Sequence, residues 1–77
     1  MIIRMYHHDH NPPHIHVQYG EYLAIVNIQT REIIHGKLPG RLYAILKQWM
    51  DLNDDKLAEA WQAAQLMKPL KRIKPLD

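Results

Sequence analysis

The stretch His14-Ile15-His16-Val17-Gln18-Tyr19-Gly20-Glu21-Tyr22-Leu23-Ala24-Ile25-Val26-Asn27-Ile28 decides the fold. Its residues alternate, and successive side chains of a strand point to opposite faces. Ile15, Val17 and Tyr19 therefore share one face, and His14, His16 and Gln18 share the other. Gly20-Glu21 is a two-residue Gly-X loop, the kind that makes a type II′ hairpin with glycine at positive φ. The return strand runs Tyr22 to Ile28. In that register Tyr19 faces Tyr22, Val17 faces Ala24 and Ile15 faces Val26, giving one continuous apolar face. The opposite face pairs Gln18 with Leu23, His16 with Ile25, and His14 with Asn27. The hairpin is expected to separate a core side from a histidine side.

Working outward, Ile2 to Tyr6 is short, apolar and β-prone. The polar loop His7 to Pro13 follows, and its two prolines bar a central strand because neither has an N–H to donate. After the hairpin, Glu32 to His35 reads as a short strand broken by Gly36. Pro39 suits the first turn of a helix, and Leu42, Ile45, Leu46 and Trp49 form one helical stripe. Asn53 reads as the N-cap of a second helix, with Asp54 and Asp55 favourable to its dipole. Leu57, Ala60, Trp61 and Ala64 make the second stripe, and the short link between the stripes predicts a helical hairpin. Pro69 ends the second helix, and Ile73 could anchor the tail Leu70 to Leu76 as an edge strand. The expected class is α+β: an antiparallel sheet of three to four strands, then a two-helix hairpin, with a C-terminal edge strand.

The chain has 77 residues, room for a single domain spanning 1–77. A chain of this size buries only roughly 60% of its unfolded surface, so stability is expected to be marginal. It has no cysteine, which removes disulfides and thiolate zinc sites. A histidine-bound metal or a partner subunit is the remaining kind of staple. The hydrophobic fraction of 47% excludes a disordered chain. No apolar run is long enough to cross a membrane. The apolar N-terminus is interrupted by Arg4 and followed by Asp9, unlike a signal peptide, which points to the cytoplasm. The net charge of +2 allows nucleic-acid contact without arguing for it.

Five of the six histidines fall between His7 and His16, as His7, His8, His10, His14 and His16. His14 and His16 lie on one strand face, roughly 7 Å apart at Cα, close enough for two imidazoles to converge on one ion. Folding of the His7–Pro13 loop over that face would add His10 and an oxygen ligand from Asp9. His10, His14, His16 and Asp9 are thus the candidate ligands of a divalent transition metal such as zinc or nickel. Two rival readings stand beside this one. Such a loop can be merely solvated, or its imidazoles can serve acid–base chemistry on a phosphodiester without metal. The three glycines are isolated and form neither a P-loop nor a dinucleotide motif.

Arg41, Lys47, Lys68, Lys71, Arg72 and Lys74 form a second candidate surface, a phosphate-binding patch. The plainer reading, a solvated tail balanced by Asp51, Asp54, Asp55 and Glu59, is favoured by the small net charge. Tyr6, Tyr19, Tyr22 and Tyr43 could stack on bases, although Tyr19 and Tyr22 read better as a cross-strand pair on the core face. Leu23 and Ile25 lie on the histidine side and would make a mixed partner or dimer surface if one sheet face stays uncovered.

The run Asp9-His10-Asn11-Pro12-Pro13-His14-Ile15-His16-Val17 resembles a prokaryotic family known as domain of unknown function 4160. The likeness continues through Tyr19-Gly20-Glu21-Tyr22, Gly36-Lys37-Leu38-Pro39, Trp49 and Lys71-Arg72-Ile73-Lys74-Pro75-Leu76. The resemblance implies a small stand-alone protein from operons similar to toxin–antitoxin pairs, an implication by neighbourhood and not by chemistry. Members usually carry a further short segment ahead of Ile3-Arg4-Met5-Tyr6, which would add to the sheet edge. The leading expectation is a binding or regulatory module of a toxin–antitoxin-like system. Its partner would be a cognate operon-encoded protein, a second copy of the chain or a nucleic acid, with no membrane involved. The alternative is a metal-dependent, nuclease-like hydrolase using the His/Asp cluster.

Overall fold

The computed structural model describes residues 1–6 and 10–67. In chain order these form β1 (Ile2–Arg4), β2 (His14–Tyr19), β3 (Tyr22–Asn27), β4 (Ile33–Gly36), α1 (Gly40–Leu52) and α2 (Asp54–Gln65). The strands make one antiparallel sheet in the order β1-β2-β3-β4, so every sheet neighbour is also a chain neighbour. Two helices follow, and the class is α+β as expected. The expected C-terminal edge strand lies outside the described residues, as do His7, His8 and Asp9.

The β2–β3 register is the one that alternation predicts, from His14↔Asn27 through Ile15↔Val26 and Val17↔Ala24 to Tyr19↔Tyr22. Gly20 has φ +57°, while Glu21 is not among the described residues at positive φ, a combination that suits a type II′ turn. The apolar face is shorter than expected. Tyr19 is 46% exposed and Tyr22 half-buried, and neither belongs to the buried cluster that the helices share with the sheet. β1 ends at Arg4 and does not reach Tyr6. Ile3 and, just past the strand, Met5 still pack against the core, so alternation persists beyond the paired residues.

Ile15, Val17, Ala24, Val26 and Ile28 meet Leu46, Trp49, Met50, Leu57 and Trp61 in one buried cluster. Fully burying each large aliphatic there contributes roughly 1.5–3 kcal/mol. The α1 stripe is turned slightly from the expected one. Met50 is fully buried, while Leu42 and Ile45 are only half-buried. Pro39 is not in the first turn of α1 but is its N-cap, with extended ψ of 143°, and its carbonyl accepts from the Tyr43 N–H at 2.9 Å. Asn53 alone links the helices and occupies the expected N-cap position of α2, but its side chain does not cap it. Instead Asn53 Nδ2 and N donate to the Trp49 carbonyl at 2.9 and 3.1 Å and close α1. Asp54 and Asp55 are left to meet the α2 dipole.

Arg31, which the sequence did not single out, ties the β3–β4 loop to the helix junction. Asn27 Oδ1 accepts from the N–H groups of Gln29 and Thr30 at 2.7 and 3.0 Å, starting the loop. Arg31 then adopts φ +68°. Its guanidinium donates to Asp54 at 2.7 Å, to Asp51 at 3.2 Å and to the Ile28 carbonyl. Burial works against the charge, but the hydrogen bonds and proximity of Asp54 and Asp51 outweigh it and hold Arg31 above its ordinary pKa. Tyr43 Oη donates to the Arg31 carbonyl at 2.6 Å.

β4 is displaced by one residue from the expected Glu32–His35, and it contains Gly36 instead of breaking there. Val26 pairs with Ile33 but Ile25 with His35, so Ile34 is an extra, bulged residue. Ile33 and His35 would share a face of a regular strand. The bulge turns Ile33 toward the core and leaves His35 on the face of Ile25. Gly36, at φ +80°, lies against Leu23 and Ala24 so closely that a Cβ would come 2.0 Å from the Leu23 carbonyl oxygen.

Candidate functional site

With both helices spent on the core face, the other sheet face stays open. Cross-strand pairing lays a row of side chains over all four strands: Arg4 opposite His16, His16 opposite Ile25, Ile25 opposite His35. A second row runs Ile2, Gln18, Leu23. Tyr6 extends the face beyond β1, its ring edge-on to His16 with centroids 4.7 Å apart. These residues line a concavity of about 300 Å³, the lower end of the range for ligand pockets. Leu23, 62% exposed, adds apolar surface to the lining, and Arg4 and His35 are exposed on the outermost strands. Among the described residues none of the lining side chains is a carboxylate, and Arg4 is its one permanent charge. The face can stack planar groups, donate to an anion through Arg4 and bond through the Gln18 amide.

The histidine cluster continues from this face round one corner of the sheet. His14 and His16 lie together as strand period requires, with ring centroids 5.1 Å apart. Ahead of Pro12-Pro13, the His10 ring lies with its centroid 5.7 Å from that of His14. His14, although on the side opposite the apolar face of its strand, is only 4% exposed. β1 pairing stops at Arg4↔His16, leaving His14 without a β1 neighbour, and at that corner the Trp61 indole lies 5.3 Å from its ring. Pro12 O lies 2.7 Å from His14 Nδ1, which fixes the ring and makes Nδ1 the protonated nitrogen of the neutral form.

Among the described residues no three His, Cys, Asp or Glu side chains are arranged to hold a metal ion. Of the four candidate ligands, His10, His14 and His16 are thus brought into one ring cluster without a ligating arrangement, and Asp9 is outside the described residues. Arg41 and Lys47 are exposed on α1, in the helix layer and apart from the open face. The Lys47 ammonium sits 4.4 Å from the Tyr43 ring centroid. Lys68, Lys71, Arg72 and Lys74 lie outside the described residues. Sequence reasoning missed Arg4 and His35 as members of the face. Alternation with Ile3 and Met5 was the available signal for Arg4, whereas His35 depends on the bulge.

Fold and site together define a small α+β domain with a four-stranded meander, one face under two helices and the other an open, ring-bearing concavity. The chain belongs to the family described as a domain of unknown function (DUF4160), whose profile matches residues 1–62. No curated protein and no solved structure matches it. Among the described residues no helix is long and apolar enough to cross a membrane.

Proposed function

We propose that the chain is a binding and regulatory module of a toxin–antitoxin-like system, working through the open face of its sheet. The observation that carries the reading is the row Arg4–His16–Ile25–His35 over a concavity of about 300 Å³. A face with exposed apolar side chains, a cation and rings has the composition of a contact surface. Operon neighbourhood, implied by the family resemblance, names the first partner to try, the product of the adjacent gene. Co-expression with that product tests the reading. Leu23→Asp and Arg4→Glu should each abolish co-purification with far-UV circular dichroism unchanged, whereas Arg41→Ala on the helix side should not. Co-purification that survives both sheet-face changes would count against the open face as the contact surface.

One observation favours a second reading, a metal-dependent hydrolase: the His14 ring has the His10 ring on one side and the His16 ring on another. Asp9 or water would have to complete the ligand set. Titration of untagged protein with zinc or nickel at two pH values tests it, since protonated imidazole cannot ligate. Submicromolar, pH-sensitive affinity lost in both His14→Ala and His16→Ala supports the site. Weak affinity indifferent to either change removes it.

A further inference from the structure

We propose that the occupant of the open face is single-stranded nucleic acid, two or three nucleotides lying across the strands. The proposal rests on the sheet face being the contact surface and adds the chemical class of what it takes. Three features select that class. The first is charge. Arg4 makes no hydrogen bond or ion pair with any described side chain, and no described residue lining the concavity carries a negative charge, so the site suits an anion. The second is the kind of polar group. Tyr6 and His16 at one end and His35 at the other present planar rings, with one fixed cation between solvent and the sheet. An acidic peptide would call for several fixed cations, whereas bases are held by π-faces and need charge only at the phosphates. The third is size. Three strand spacings separate β1 from β4, roughly 14 Å, and a four-stranded sheet face of that width stacks two or three unpaired bases. The concavity of about 300 Å³ has the volume to seat one nucleotide on Leu23 and Ile25.

The assignment gives each residue a task. Arg4 donates to a phosphate as a two-pronged guanidinium. Tyr6 and His35 stack on bases at the two ends of the row. Gln18, half-buried beside Leu23, offers an amide donor and acceptor to a base edge. Duplex is a poor fit, because its bases are already stacked on each other and the face is a shallow bowl and not a ridge that enters a groove.

Fluorescence anisotropy with labelled octamers of uridine and of thymidine, plus a duplex of equal length, tests this. Single strands should bind with both sugars, and the duplex should bind at least about tenfold more weakly. Tyr6→Ala and His35→Ala should each weaken binding about tenfold or more, as loss of one stacked base does. Arg4→Gln should lower the slope of log affinity against log salt by about 0.7, the share of one phosphate on a single strand. Arg41→Ala and Lys47→Ala, on the helix side, should change neither quantity. Absence of single-strand binding, or binding indifferent to Arg4, Tyr6 and His35, overturns the nucleic-acid assignment. If Leu23→Asp nonetheless abolishes co-purification of the operon partner, the sheet-face reading stands and a protein occupies it. If wild type is a dimer in sedimentation and Leu23→Asp a monomer, a second copy covers the face and this proposal falls.

Discussion

Replacing Gly36 with alanine should be far more damaging than its position near the end of a short edge strand suggests. A Cβ there would lie 2.0 Å from the Leu23 carbonyl oxygen and 3.0 Å from Ala24 Cα. An ordinary carbon–oxygen approach is about 3.3–3.6 Å, so β4 and β3 must part by more than about 1 Å. Both obstacles are backbone, and no side chain can swing aside. Overpacking strain of this kind costs roughly 1–3 kcal/mol. The φ of +80° adds roughly 1–2 kcal/mol for a residue with a Cβ. The same parting stretches the bond from the Lys37 N–H to the Leu23 carbonyl, now 3.1 Å, worth about 1 kcal/mol. The total is about 4 kcal/mol, against about 4–12 kcal/mol for the whole stability of a domain this size. Thermal melting followed by circular dichroism should show Tm lowered by roughly 15–30 °C, or no cooperative transition. Gly20→Ala is the control. Its φ is also positive, but nothing lies within 4 Å of the added Cβ, so it should lose only the φ term, about 4–16 °C and at least about 10 °C less than Gly36→Ala. Equal melting of the two variants would refute the reasoning, because φ would then account for everything and the close approach for nothing.

Trp49→Ala and Trp61→Ala, which empty sites 5% and 7% exposed, should each cost about 3–5 kcal/mol in urea denaturation. A loss under 1 kcal/mol for either would contradict its place in the core. Arg31→Met should cost about 1–2 kcal/mol through the Ile28 carbonyl and the loop it fixes. Asp51 and Asp54 are exposed and add little, so the loss should barely change in 1 M salt. The raised Arg31 pKa means that its contribution is complete below the ordinary arginine value and fades only as pH rises through the folded one. The Arg31→Met deficit should therefore be constant from pH 6 to 9, and a marked slope would point to another group. His14→Ala should lose about 1–2 kcal/mol with its buried bond to Pro12, while His35→Ala on the open face should stay within about 0.5 kcal/mol of wild type. The reverse order would misplace both rings.

Much of the molecule was legible in the chain itself. Period-two alternation from His14 to Ile28 with Gly20-Glu21 at its centre leaves one register that puts Ile15, Val17, Ala24 and Val26 on the same side, and a slip of one residue would expose them all. The helical stripes around Trp49 and Trp61 are equally local, since 3.6-residue spacing carries its own direction. His14 and His16 share a face for the same reason. The site was legible only in part, because its remaining members depend on contacts between distant segments. His35 reaches the open face only because the bulge at Ile34 reverses the parity of β4 where it pairs with β3, and no spacing within β4 itself announces that irregularity. His14 shares the parity of His16 but is buried, with the Trp61 indole of α2 5.3 Å from its ring at the corner where β1 pairing stops. Arg31, an unremarkable loop residue in sequence, becomes the link between loop and helices once Asp51 and Asp54 arrive beside it. The sequence by itself determined what local periodicity can express: the hairpin, its two faces and the helical stripes. Tertiary structure alone decided which histidines stay on the surface, because burial depends on which distant side chain fills the space above each ring.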